Sequence, residues 1–170
     1  MTFAFETEYT AKNMTAMARA LRKTVRKKHN RRTRVLGWIL SAVGLAFVAS
    51  AESWNGRIAI TLLAVAVMVF TMLFEDRING FVATKRVLPG TERAKTVFTE
   101  EGFSSETALG TTEWKYEPIL TVAETKDFFV FIFSKSHAQL YDKRTLQGGT
   151  AVEFRAFLER VTGKPVQPIR

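Results

Sequence analysis

The chain has no cysteine among its 170 residues, and only two histidines, His29 and His137. The first absence excludes disulfides, thiolate metal sites and a thiol nucleophile. Neither histidine has a second ligand at the spacing of a zinc or non-haem iron site. No glycine-rich phosphate loop of the P-loop or dinucleotide type occurs. Gly148-Gly149 stands before a helix start and has two readings, a contact for an anion and a flexible turn. The acidic pairs Glu75-Asp76 and Glu100-Glu101 sit at turns or at the end of an apolar run, where solvated charge is the default. These gaps leave no constellation for catalysis. The expectation is a protein that is not an enzyme and carries no metal or cofactor.

Charge is also missing where it matters most. Residues 35–51 and 58–74 contain no ionisable side chain, and only residues 52–57 lie between them. As helices rising about 1.5 Å per residue, both are long enough to cover most of a hydrocarbon core roughly 30 Å thick. Backbone polar groups in lipid must be satisfied internally, so the expected form is a two-helix transmembrane hairpin. Ala49-Ser50-Ala51 has the small-residue look of a signal cleavage site. The polar stretch ahead of the apolar run is too long for a signal, however, and a second apolar run follows at once.

The formal net charge is +9, and much of it precedes the first run. Arg19, Arg22, Lys23, Arg26, Lys27, Arg31, Arg32 and Arg34 are the candidate membrane-surface residues. The short loop holds only Glu52 and Arg57, and Arg77, Lys85 and Arg86 follow the second run. The positive-inside rule then places both termini in the cytoplasm and the loop outside. Trp38 and Trp54, separated by about 24 Å on a helical rise, are the candidate interfacial aromatics. Gly37, Ser41 and Gly44 form a small-residue stripe for helix packing, either within the hairpin or between copies in a homo-oligomer. No Asp, Glu, Lys, Arg or His lies inside the spans, so an ion or proton path is not expected.

Residues 10–34 read as one basic amphipathic helix, N-capped by Thr10, with Met14, Met17, Leu21 and Val25 along one face. Such a helix suits the anionic lipids of the inner leaflet. A protein-docking surface is the second use of it. Nucleic acid is not expected as a partner, because the aromatic interleaving of single-strand binders and any helix-turn-helix pattern are missing.

Residues 75–90 continue as a membrane-exit helix stopped by Pro89-Gly90. Residues 91–170 read as one β-rich cytoplasmic domain, giving a membrane α+β chain. Residues 128–133 are apolar on both faces, with Phe129, Phe131 and Phe133 opposite Phe128, Val130 and Ile132, so two covers are required. One is a helix over residues 150–162, opened by the capping box Thr150 with Glu153 and closed by Gly163. The other is either the rest of a curled sheet or the membrane-proximal helices. Residues 2–9 make a strand whose Phe3, Phe5, Thr7 and Tyr9 share a face; since a lone strand is unstable, it should pair with the later sheet. The hairpin is then an insertion within one domain. Lys115, Lys126, Lys135, Lys143 and Arg144 form a candidate basic binding surface, with ordinary solubilising charge as the alternative.

The order of these parts carries a resemblance. The segments TVFTEEGF at 96–103 and TEWKYEPILTVAETKDFFVFIF at 112–133, with the N-terminal strand, the two close spans and the terminal helix, resemble the YcxB-like family of small bacterial membrane proteins. Where members of that family carry an Ile-Pro-Lys-like segment, this chain has Leu140-Tyr141-Asp142-Lys143-Arg144, without the proline. The resemblance implies a bacterial inner-membrane protein with a pleckstrin-homology-like cytoplasmic β-roll capped by the C-terminal helix, and supplies no catalytic activity. The expected role is an interaction module for protein or lipid. The alternatives are an immunity protein that neutralises a toxin aimed at the membrane or cytoplasm, and a homo-oligomeric membrane scaffold.

Overall fold

The computed structural model describes residues 2–169. Strand β1 (Phe3–Glu8) comes first, followed by four helices: α1 (Ala11–Lys23), α2 (Lys27–Ala49), α3 (Gly56–Leu73) and α4 (Glu75–Thr84). Then come β2 (Arg93–Phe98), β3 (Phe103–Thr107), β4 (Gly110–Trp114), β5 (Thr121–Glu124), β6 (Phe128–Ile132), β7 (Ala138–Asp142), α5 (Ala151–Thr162) and β8 (Val166–Pro168). Two four-stranded sheets result, in the orders β1-β2-β3-β4 and β7-β6-β5-β8.

Strand β1 pairs antiparallel with β2, Phe3 opposite Phe98 and Glu8 opposite Arg93. The four helices are therefore an insertion between two neighbouring strands. The inward face of β1 is Phe3, Phe5 and Thr7, all buried. Tyr9 lies beyond the strand end.

The alternation of β6 divides the interior in two. Phe129 and Phe131 face the first core, where Phe3, Phe5, Phe98, Phe103, Phe154 and Tyr141 meet. Phe5 has Phe154 at 4.8 Å, Phe98 at 5.7 Å and Tyr141 at 5.6 Å between ring centroids, within the range of favourable aromatic pairs. Helix α5 covers this side. Its capping box is formed, and Gly163 ends it at φ 65°. On the other side, Phe128, Val130 and Ile132 pack under Ala20 and Leu21 of α1, with Met17 and Val25 beside them. The second cover of β6 is thus the helix ahead of the first span. Its apolar face is occupied by the sheet, so that face does not meet lipid.

The basic segment differs from the single helix expected over residues 10–34. Helix α1 stops at Lys23, and α2 starts afresh at Lys27. Thr24 leaves helical geometry at φ −111° and ψ −99°, with its backbone N–H and its hydroxyl both bonded back to the Ala20 carbonyl. No glycine or proline forces this. Thr24 and Val25 are β-branched and tolerate the break, and α1 must leave the sheet before the chain can enter the apolar run. Lys27–Arg34 therefore belong to the same helix as the first apolar run.

Helices α2 and α3 are each long and apolar enough to cross a membrane, and only 11% of each apolar window is buried. Leu36, Ile39, Val43 and Phe47 on α2, with Ile60, Leu63, Val67 and Phe70 on α3, are exposed. That is the surface a lipid-embedded pair presents, not the surface of a soluble core helix. Asn55 caps α3 by accepting from the N–H groups of Arg57 and Ile58. The chain bends at Phe74 (φ −102°, ψ 14°) into α4, the separate exit helix.

Candidate functional site

The boundary between the hairpin and the β-domain is held by ion pairs. Arg22 donates to both oxygens of Asp76, Nε to Oδ1 and Nη2 to Oδ2, each at 2.6 Å. Burial works against the Arg22 charge, but the hydrogen bonds to Asp76 outweigh it and raise the Arg22 pKa. Arg19 stands 3.6 Å from the same carboxylate. Arg34 lies 3.5 Å from Glu75 and donates to the Met72 carbonyl at 3.0 Å, and Asn30 donates to Glu75 at 3.0 Å. The acidic pair Glu75-Asp76 is therefore no solvated boundary. It ties α1 and the start of α2 to α4. Arg26 donates through Nε to the Lys135 carbonyl and so ties the α1–α2 turn to the β6–β7 turn.

Of the other candidate membrane-surface residues, Lys23, Lys27, Arg31 and Arg32 are exposed. Trp38 is exposed on α2, whereas Trp54 lies in the loop between the helices. Gly37, Ser41 and Gly44 face α3. A methyl group on Gly37 would meet Met72 Sδ at 2.5 Å, one on Gly44 would meet Val65 Cγ2 at 2.7 Å, and the Ser41 hydroxyl lies 3.5 Å from Met68 Sδ. The small-residue stripe is filled by the partner helix of the same hairpin.

The five cations of the candidate basic surface do not converge. Lys143 donates to Glu124 Oε1 at 2.5 Å and to the Thr125 carbonyl at 2.7 Å, and sits 4.8 Å from the centre of the Phe129 ring. Arg155 reaches Glu124 from α5 at 2.6 and 2.8 Å. Burial raises the Glu124 carboxyl, but hydrogen bonds from Arg155 and Lys143 outweigh it and hold its pKa below the ordinary value. Arg144 folds back onto Asp142, whose pKa is likewise lowered by those hydrogen bonds. Lys126 and Lys135 are exposed in turns at opposite ends of β6, and Lys115 is exposed just past β4.

Gly148-Gly149 is neither a phosphate cradle nor a flexible turn. Gly148 has φ 88°, and a Cβ there would run into the Thr2 carbonyl; one on Gly149 would lie 2.7 Å from the Phe3 ring. The glycines let the chain pass close over β1. The α5 N-terminus is already served by its own anion, Glu153, which accepts from the Thr150 N–H at 2.7 Å. His137 is exposed, its ring 5.2 Å from that of Phe133 and 5.9 Å from that of Trp114.

One open edge of the fold has hydrogen-bonding capacity to spare. Strand β4 is the end strand of its sheet, paired only with β3. The two-residue turn at Ala108-Leu109 sets Thr107 opposite Gly110, so Glu106 and Thr111 form the next, non-hydrogen-bonded pair. The backbone groups of Thr111 then point away from β3. At the strand end, Trp114 stacks on Phe103 at 6.2 Å and 9°, and its indole nitrogen is buried without a partner among the described residues.

Residues 98–158 match the family model described as YcxB-like protein. This stretch is similar to a YcxB-like domain. No curated protein and no solved structure matches the chain. The YcxB-like match begins at the last residue of β2 and ends within α5, so it contains β3–β7, the Glu124–Lys143–Arg155 cluster and the open β4 edge. Strand β1 and helices α1–α4 lie ahead of it. No sequence signal marked the Arg22–Asp76 clamp or the pairing of Lys143 with Glu124, because each joins residues far apart in the chain.

Proposed function

We propose that this chain is a membrane-anchored, non-enzymatic interaction module: a pleckstrin-homology-like β-domain on the cytoplasmic side of a bacterial inner membrane, held there by the α2–α3 hairpin. Two stacked sheets closed by one helix support that fold reading. The basic start of α2 against the nearly uncharged α2–α3 loop supports the orientation. The observation that carries the binding role is the unpaired β4 edge. An extended segment of a partner protein would add there as a further strand, its main chain bonding to the outward groups of Thr111 and its side chains lying beside Trp114.

The test is affinity capture of the full chain from native membranes, read by quantitative mass spectrometry, with Thr111→Pro alongside. Proline removes the outward N–H without touching the bonds to β3. A partner held by wild type and lost from the proline variant supports strand addition; equal capture by both refutes it. A toxin among the captured proteins would replace this reading with the immunity role. Orientation is read separately, by labelling Asn55→Cys with an impermeant reagent in intact cells. Labelling only after the cells are broken would reverse the topology.

A further inference from the structure

A groove of about 890 Å³ opens where α2 leaves the β-domain. Its charged wall on α2 is Lys27, Arg31 and Arg34, with Arg22 and Lys23 at the end of α1 beside them; its apolar wall is Val35 and Trp38, and Ile169, just past β8, closes the side. No carboxylate lines it among the described residues. Lys27 and Arg31 are exposed and make no ion pair or hydrogen bond through their side chains among the described residues. Arg34 is held from behind by the Met72 carbonyl and Glu75, while its Nε is buried without an acceptor among the described residues.

The groups on α2 follow one another along one face of that helix. Lys27 to Trp38 spans about 16 Å of helix axis. Cations come first, and the uncharged run starts at Val35, so the groove changes from charged to apolar at one level. A phosphate with two hydrocarbon chains has the same division. A soluble anion would use only the charged half and leave the Val35–Trp38 wall unfilled. A protein strand would find no open sheet edge with free donors here, since β8 carries Pro168 and is three residues long.

We infer that this groove seats one anionic glycerophospholipid, its phosphate held by Lys27, Arg31 and Arg34 and its chains lying along Val35 and Trp38. The inference rests on the reading of α2 and α3 as spans. The bound lipid touches both the span and Ile169 of the β-domain, and so fastens the domain at a fixed height over the bilayer.

The experiment is native mass spectrometry of the full chain in neutral detergent, titrated with phosphatidylglycerol or with phosphatidylcholine. Wild type is expected to bind one phosphatidylglycerol in clear preference to phosphatidylcholine. Lys27→Gln with Arg31→Gln should weaken that binding about 30-fold, each cation at a lipid phosphate being worth a factor of roughly five. Lys28→Gln with Arg32→Gln removes the same charge from the same helix outside the groove. It should change binding by no more than about twofold, since neutral detergent presents no charged surface. Equal losses in both pairs would overturn the site, as would equal affinity for the two lipids. Displacement of the lipid by inorganic phosphate at matching concentration would make it a phosphate site and overturn the lipid assignment. The lipid preference of wild type needs no substitution, so a misfolded variant does not shield the inference. Recovery of the chain in a detergent-free soluble fraction would mean the spanning reading has failed. A membrane-bound chain with no lipid preference would mean that only the groove reading has.

Discussion

Gly80 of α4 lies directly on the backbone of Thr15 in α1: a methyl group built on Gly80 would fall 2.6 Å from the Thr15 nitrogen and 2.7 Å from its Cα. The contact lets α4 lie close against α1, whose other side covers β6. The stack of sheet, α1 and α4 is thereby continuous, and the Arg22–Asp76 pair locks it on the membrane side.

Gly80→Ala tests that contact. The obstacle is backbone, not a flexible side chain, so the helices must separate. The expected cost is about 1–3 kcal/mol, as for other overpacked sites. Thermal unfolding in detergent measures it, and a midpoint equal to wild type would show that the helices move apart at no cost.

Asp76→Asn removes the carboxylate shared by Arg22 and Arg19. Arg22 loses its charge-assisted bonds at a site only 19% exposed, and a loss of about 2 kcal/mol is expected. The loss should appear in thermal unfolding and as faster protease cleavage near Thr24.

Phe5→Ala probes the insertion topology. Phe5 is 1% exposed and touches Phe98, Phe129, Tyr141 and Phe154. Truncating it should cost about 3–5 kcal/mol. Denaturant unfolding followed by tryptophan emission is the measurement. An unchanged midpoint would mean that the first strand does not complete the core.

The Glu124 cluster predicts acid sensitivity. Its folded pKa lies below the ordinary carboxyl value, so its stabilising effect is present above the unfolded pKa and is lost as pH falls through the folded one. Thermal midpoints should drop across that interval. Glu124→Gln should flatten this part of the profile and cost about 3 kcal/mol at neutral pH, because Lys143, 16% exposed, keeps its charge without a counter-ion.

Gly44→Ile separates packing within the hairpin from packing between copies. The added side chain collides with Val65 of the same chain. Stability in detergent should fall while the oligomer distribution from light scattering stays that of wild type. A shift in that distribution would return the stripe to an intermolecular role.

Features written in local composition were readable from the chain. The uncharged runs became α2 and α3, the two-faced stretch at Phe128–Ile132 became a doubly covered strand, and Thr150 with Glu153 became a formed capping box. Features decided by distant partners were not. The break at Thr24 follows from where α1 must leave the sheet. Strand β8 is three residues, preceded by Pro165 and ending on Pro168, and its identity as a strand comes only from parallel pairing with β5. Gly110 is the first residue of β4, although glycine is a poor strand former, because a two-residue turn lets it open the returning strand. Lys143 and Arg144 read as free surface charge because nothing near them in sequence announces Glu124 as a partner, or reveals that the adjacent Asp142 turns back to grip its neighbour.

The insertion of four helices between β1 and β2 also sets an order of events during synthesis. The first strand leaves the ribosome with Phe3 and Phe5 bare, and the register that shelters them needs Phe98. Everything destined for lipid is translated in that interval. Closure of the sheet therefore requires both ends of the hairpin to lie on one side of the bilayer, and a nascent molecule whose chain crossed only once would keep two aromatic rings exposed as a mark of its failure.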